Sequence, residues 1–249
     1  MPEQPERFDE VTADEVADAF VAAAREVELG IEPTAELIAT LLAQSALETG
    51  NWEWLRNFNF GHIKATDAWV AGGGDYVFFA KPPPHFKAPV SENMTPAQIA
   101  QARATSKPRT DGVDGPDMEV LGEAWPGVRM VAFWASHVQT RFRSFETLKD
   151  GAEAYIGKFL GRYRGALEPA ARGDVLAYVT ALRDLGPYFT ADFTQYYLGV
   201  LNRYRTYLTA ARGALAADDD VPALPNTGAF RTDPADLEVR AEGWAELES

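Results

Sequence analysis

Glu48 is the residue in this 249-residue chain whose type and position most clearly invite chemistry. Positions 37, 41, 44 and 48 fall on one face of a helix, so Glu48 extends the stripe formed by Leu37, Leu41 and Gln44. That stripe is the face expected to be buried. The same residue lies in the last turn, where the negative end of the helix dipole disfavours a carboxylate. Burial and dipole both favour the protonated acid, the form required of a group that protonates a leaving oxygen near neutral pH. On position alone, a helix-end Glu that bends out to water remains an equally plain reading. The chain has no cysteine, which excludes disulfides, thiolate metal sites and a Cys nucleophile. His62, His85 and His137 are too widely spaced for a metal-site pattern and read as loop or surface residues.

The surroundings of Glu48 sharpen the reading. The stretch Ala43-Gln44-Ser45-Ala46-Leu47-Glu48-Thr49-Gly50 is followed by Asn57-Phe58-Asn59-Phe60-Gly61-His62-Ile63-Lys64. Downstream come Arg141-Phe142-Arg143-Ser144-Phe145-Glu146-Thr147-Leu148, with Gly151 and Tyr155 behind, and then Leu185-Gly186-Pro187-Tyr188-Phe189-Thr190-Ala191-Asp192, followed by Tyr196. In this order the three segments resemble the glucosaminidase family of peptidoglycan hydrolases. The resemblance covers about residues 12–210 and implies a mainly α, lysozyme-like fold (α+β) with a small β-hairpin lobe lining a glycan cleft. It implies an endo-β-N-acetylglucosaminidase acting on the glycan strands of bacterial cell wall, with Glu48 as general acid and no metal or cofactor. A second carboxylate is expected ahead of the Arg141 segment. Glu123, in Glu123-Ala124-Trp125-Pro126-Gly127, is favoured over Glu119. Two carboxylates about 5 Å apart suit retention and a wider gap suits inversion; a route using the substrate's own acetamido group needs no second carboxylate. Tyr188 is expected near the cleavage point, although Pro187 departs from the family pattern there. Gln44, Trp52, Asn59, Phe60 and Lys64 are the expected substrate contacts. Asn57, Asn59 and Lys64 fit a structural role equally well. Trp52, Trp54 and Trp69 could stack on sugar rings or fill a core.

The elements that would position these residues follow from periodicity and caps. Thr12 with Glu15 forms a capping box, and Val16, Ala19, Phe20, Ala23 and Val27 recur at helical spacing up to about Leu29. Pro33–Thr49 reads as a second helix, with Pro in its first turn and Gly50 past its end. Residues 51–130 are punctuated by Gly72–Gly74 and Pro82–Pro84. Nine of the 36 residues from 51 to 86 are aromatic, too many for a linker, so the segment reads as a loop-rich lobe with short strands. Thr95–Ala104 reads as a short helix and Val128–Trp134 as a strand. Helical spacing returns over 147–159, 176–185 and 193–208, and is lost from Ala214. The expected organisation is an acidic N-terminal extension over 1–11, a catalytic domain over 12–212 and an acidic tail over 213–249.

Net charge is −14, concentrated at the ends: residues 1–32 carry −8 and residues 213–249 carry −7, leaving +1 in between. No basic stripe suits nucleic acid. No run of about 18 apolar residues suits a membrane span, and the acidic N-terminus is unlike a signal peptide. Synthesis in the cytoplasm is expected, with action on cell wall after release, after injection or as part of a particle. The acidic tail is the expected contact with such a carrier or export machinery.

Overall fold

A computed structural model describes residues 3–78, 90–109, 114–134, 137–159, 161, 163–186, 188–189 and 191–219. It is a mixed α+β architecture of eight helices and five strands among the described residues, and the chain divides into two compact units. One comprises Met1–Arg7 and His62–Phe145; the other comprises Phe8–Gly61 and Glu146–Ser249.

The second unit is helical. Helix α1 (Ala13–Glu26) begins at Thr12, whose hydroxyl accepts from the Glu15 amide while the Glu15 carboxylate accepts from the Thr12 amide, the expected capping box. Helix α2 (Ala35–Glu48) is capped by Thr34, one residue past the expected Pro33 start. Its residues from Leu37 to Ser45 are buried on every side, so it is the central helix of the unit. Helix α5 (Leu148–Gly157), α6 (Arg164–Ala171), α7 (Val175–Asp184) and α8 (Phe193–Asp219) complete the set. Helix α8 packs along α1 and α2, and α5 packs on α1. One continuous core runs through them, from Phe20 and Leu41 to Tyr155, Phe159 and Tyr178.

Two expectations change here. Helix α6 lies in a stretch that gave no helical expectation; Pro169 inside it cannot donate to the Gly165 carbonyl, a loss of one bond in this eight-residue helix. Helix α8 continues past the expected boundary at residue 212. Tyr207, Ala211 and Ala214 are buried at i, i+4, i+7 spacing, and alanines carry too little apolar weight to register as a stripe. Residues 220–249, with most of the expected acidic tail, lie outside the described residues.

The other unit holds the strands. β1 (Tyr76–Phe78) pairs antiparallel with β5 (Arg141–Arg143). β2 (Val90–Met94), β3 (Met118–Trp125) and β4 (Val128–Phe133) form an antiparallel sheet in the order β2-β4-β3, joined between β3 and β4 by a hairpin at Pro126-Gly127. Short helices α3 (Asp67–Ala71) and α4 (Pro96–Thr105) flank them in sequence. The core of this unit is small: Met94, Ile99, Ala102, Met118, Val131 and Phe133. His137 joins it rather than the surface. Its ring lies 4.6 Å from that of Phe133, Nε2 is 3.2 Å from the Ala102 carbonyl, and Nδ1 accepts from the Gln139 amide. His62 is exposed as expected, while His85 lies outside the described residues.

Candidate active site

The end of α2 delivers Glu48 into a cluster of polar side chains contributed by four other segments of the helical unit. Gln44, one turn earlier on the same face, is completely buried. Its Nε2 donates to Glu48 Oε1 at 3.3 Å and to the Tyr196 hydroxyl at 3.2 Å, and its Oε1 accepts from the Tyr178 hydroxyl. Every face of that amide is engaged, which fixes its orientation. Tyr188 hydrogen-bonds the Glu48 carboxyl from the segment after α7. The Tyr188 ring stacks on Phe159 at 6.0 Å and meets Tyr163 edge-on at 4.9 Å. Lys158, the C-cap of α5, donates to the Tyr188 hydroxyl and to the Gly61 carbonyl, each at 3.2 Å.

Glu48 is half-buried as a residue, and protein crowds around its carboxyl. Burial pushes its pKa up; the positive charge of Lys158 and the hydrogen bonds from Tyr188 and Gln44 pull back without cancelling the rise. Burial also drives Tyr155, Tyr178, Tyr188 and Tyr196 well above the usual phenol range, with the Glu48 charge adding to each. All four are therefore neutral hydroxyls throughout the physiological range. The Tyr155 hydroxyl is buried beside Tyr188 but makes no well-formed hydrogen bond.

The segment that follows Glu48 is held in an unusual backbone. Gly50, Asn51 and Trp52 have φ of 62°, 56° and 66°, and Asn57 and Phe58 have 48° and 52°. Positive φ at Trp and Phe is costly and persists only where the surroundings impose it. The surroundings do so here. Asn51 Oδ1 accepts from Arg203 Nε at 2.8 Å, Trp52 Nε1 donates to Ser45 Oγ at 3.1 Å, and the Phe58 amide donates to Asp9 Oδ2 at 2.6 Å. Asp9 and its neighbour Phe8, which bridges to Arg56, thus belong to the folded helical unit rather than to a free N-terminal extension. Gly151 is required opposite: a Cβ there would overlap the Phe58 carbonyl.

The expected substrate contacts fare unevenly. Trp52 is 3% exposed, packs on Tyr207 at 4.8 Å and has spent its N–H on Ser45, so it is core; the indole left at the surface is Trp54, 39% exposed. Phe60 is fully buried, edge-on to Phe20 at 5.1 Å, and Asn59 is 1% exposed. These three are corrections: burial leaves them no face for a sugar, and their work is to shape the loop that ends at Gly61. Gln44 is likewise a buried anchor of Glu48 and not a substrate contact. Lys64 belongs to the strand-bearing unit, where its ammonium pairs with Glu92 and the Gln139 carbonyl and lies 4.2 Å over the Phe142 ring. Glu119 and Glu123 stand on the exposed side of β3 in that same unit, Glu123 opposite Arg129. Pro187 lies outside the described residues.

Lys158 and Tyr178 escaped the sequence reading, and Tyr155 and Tyr196 entered it only as pattern residues. The Tyr155–Lys158 spacing of i, i+3 was the available signal for a shared helix face. A surface depression lined by Ala24–Pro33 holds none of the residues named above. Among the described residues there is no group of three or more His, Asp or Glu that could hold a metal ion, and no helix long and apolar enough to cross a membrane. Comparison of the chain with models of known families, with curated proteins and with solved structures gave no match.

Proposed function

We propose that this protein is a glycoside hydrolase of the lysozyme-like, glucosaminidase type, cutting the N-acetylglucosamine/N-acetylmuramic acid strands of bacterial cell wall with Glu48 as general acid. The observation that carries the reading is the Glu48 carboxyl at the end of α2, held toward its neutral form by burial and oriented by donors from Gln44 and Tyr188. Such a group donates a proton to the glycosidic oxygen as the bond to the anomeric carbon breaks. Tyr188, neutral and fixed by Lys158, Phe159 and Tyr163, is placed to hold the acetamido group or to face the positive charge that develops on the sugar. Glu123, with Glu119 as rival, remains the candidate second carboxylate. The substrate-assisted route relies on the helical unit alone and is favoured by the concentration of perturbed groups there. A lytic transglycosylase differs only in that the sugar's own hydroxyl replaces water. A non-catalytic wall-binding module would have no use for an acid held neutral. The partner is the glycan strand, and the carrier contact through the acidic tail stays a proposal.

Mass spectrometry of muropeptides after digestion tests the reading. A reducing N-acetylglucosamine end is the expected product. A reducing N-acetylmuramic acid end would identify a muramidase and an anhydro end a transglycosylase. Equal products from wild type and Glu48→Gln would remove Glu48 from the chemistry.

A further inference from the structure

The ammonium of Lys158 is too carefully housed for an incidental surface charge. Its nitrogen lies against the Gly61 carbonyl and the Tyr188 hydroxyl, both at 3.2 Å, with the rings of Tyr155 and Tyr188 at 5.3 and 5.2 Å. Room for it exists because residue 61 is glycine: a Cβ at that position would come within 2.6 Å of Lys158 Nζ and 2.7 Å of the Tyr155 ring. The lysine also caps the C-terminus of α5, where the helix dipole favours a cation. Three independent features thus converge on one fixed positive charge: a carbonyl, a residue lacking a side chain, and a helix end.

We propose that Lys158 is a positioning residue of the Glu48 site, its clamped ammonium serving as the built-in countercharge to the carboxylate that Glu48 becomes when its proton leaves, while its second bond orients Tyr188. The inference rests on the reading of Glu48 as general acid. In that reaction the Glu48 proton passes to the glycosidic oxygen and the C–O bond breaks with its electron pair on the departing sugar. A carboxylate is left behind until a proton from the attacking water restores the acid. Burial alone would make that carboxylate costly; a cation fixed nearby lowers the cost at the moment the charge forms. The titratable groups bearing on Glu48 are Lys158 and Tyr155 from α5, Tyr178 from α7, Tyr188 from the following segment and Tyr196 from α8. The four phenols are neutral, so Lys158 is the charge among them.

The test uses the full chain and two neutral variants, Lys158→Met, which keeps the unbranched stem, and Lys158→Gln, which keeps a donor for Gly61. Lys158→Arg serves as the charge-retaining control. Carbon-13 NMR of labelled glutamate carboxyls follows Glu48 directly, assigned by its disappearance in Glu48→Gln. The expected result is an upward move of the Glu48 midpoint by about one pH unit or more in Met and Gln, and a smaller move in Arg. In muropeptide release, the alkaline limb of the rate profile should move up with it. At the pH optimum kcat should fall roughly tenfold while KM changes little, as expected when a transition-state interaction is lost. An unmoved Glu48 midpoint in folded Met or Gln protein overturns the proposal. A midpoint that moves as expected, in a protein that releases no muropeptides even as wild type, sinks the hydrolase reading while leaving the Lys158–Glu48 pairing in place.

Discussion

Glu48 in the helical unit and Glu119 and Glu123 in the strand-bearing unit meet opposite surroundings. In the helical unit, Glu48 is surrounded by five segments' worth of polar groups and is pushed toward neutrality. In the strand-bearing unit, Glu119 and Glu123 stand on the open side of β3. The difference traces to core size. The helical unit buries a continuous core from Phe20 to Tyr207 and can wrap a polar cluster inside it, whereas the core of the sheet comprises six apolar side chains plus His137. A carboxyl is pushed toward its neutral form by low-dielectric surroundings, and of the three glutamates Glu48 is the one that has them.

Mutation of these carboxylates gives the sharpest way to break the contrast. Glu48→Gln should lower the rate of muropeptide release by about 10²–10⁴-fold, the usual contribution of a general acid. Glu119→Gln and Glu123→Gln should lower it less than about tenfold if the substrate supplies its own nucleophile. A loss at either residue equal to that of Glu48→Gln would show that the exposed carboxylates share the chemistry after all.

Next in size is the anchor. Gln44→Ala removes the partner of Tyr178, Tyr196 and Glu48 and leaves buried hydroxyls unsatisfied, which should cost about 3 kcal/mol in urea-induced unfolding. A loss under about 0.5 kcal/mol would mean that the cluster is loosely held.

A smaller effect with a telling sign concerns Glu48 itself. Its folded-state pKa lies above the unfolded value of 4.5, so the folded chain holds a proton that the unfolded chain has lost. Stability is therefore lost as pH rises from about 4.5 through the folded-state pKa. Glu48→Gln should raise Tm at pH 8 relative to wild type and give no such gain at pH 4, seen in thermal melts at both values. A gain of the same size at both would detach the effect from titration. The smallest change is expected in the other unit: Leu121→Ser, at a position 50% exposed on β3, should alter unfolding free energy by under about 0.5 kcal/mol.

Much of this was legible in the residues and some was not, for identifiable reasons. The caps at Thr12, Thr95 and Thr147 are local hydrogen-bonding codes, and each starts a helix in the structure. The face of α2 that carries Glu48 is buried, but so is every other side of that helix, so the 3.6-residue period did not single it out. Trp52 and Trp54 could not be told apart, because a left-handed turn at 50–52 sends one indole inward and leaves the other out, and no periodicity spans such a turn. Lys158 and Tyr178 become partners of Glu48 through the packing of α5 and α7 in the helical core, more than a hundred residues along the chain, and a sequence carries no local mark of that. The glucosaminidase resemblance put Glu48 and Tyr188 in one neighbourhood, where the fold also has them, but it made ligands of Trp52 and Phe60, which the fold uses as core.

The tie between Asp9 and the Phe58 amide has a practical corollary for anyone handling the protein. A chain trimmed to begin at Val11 retains every side chain of the Glu48 cluster and the helices that carry them, yet loses the peg that keeps the 57–61 turn wound and Gly61 in register with Lys158. Truncations at the amino end therefore reach the surroundings of Glu48 from nearly forty residues away.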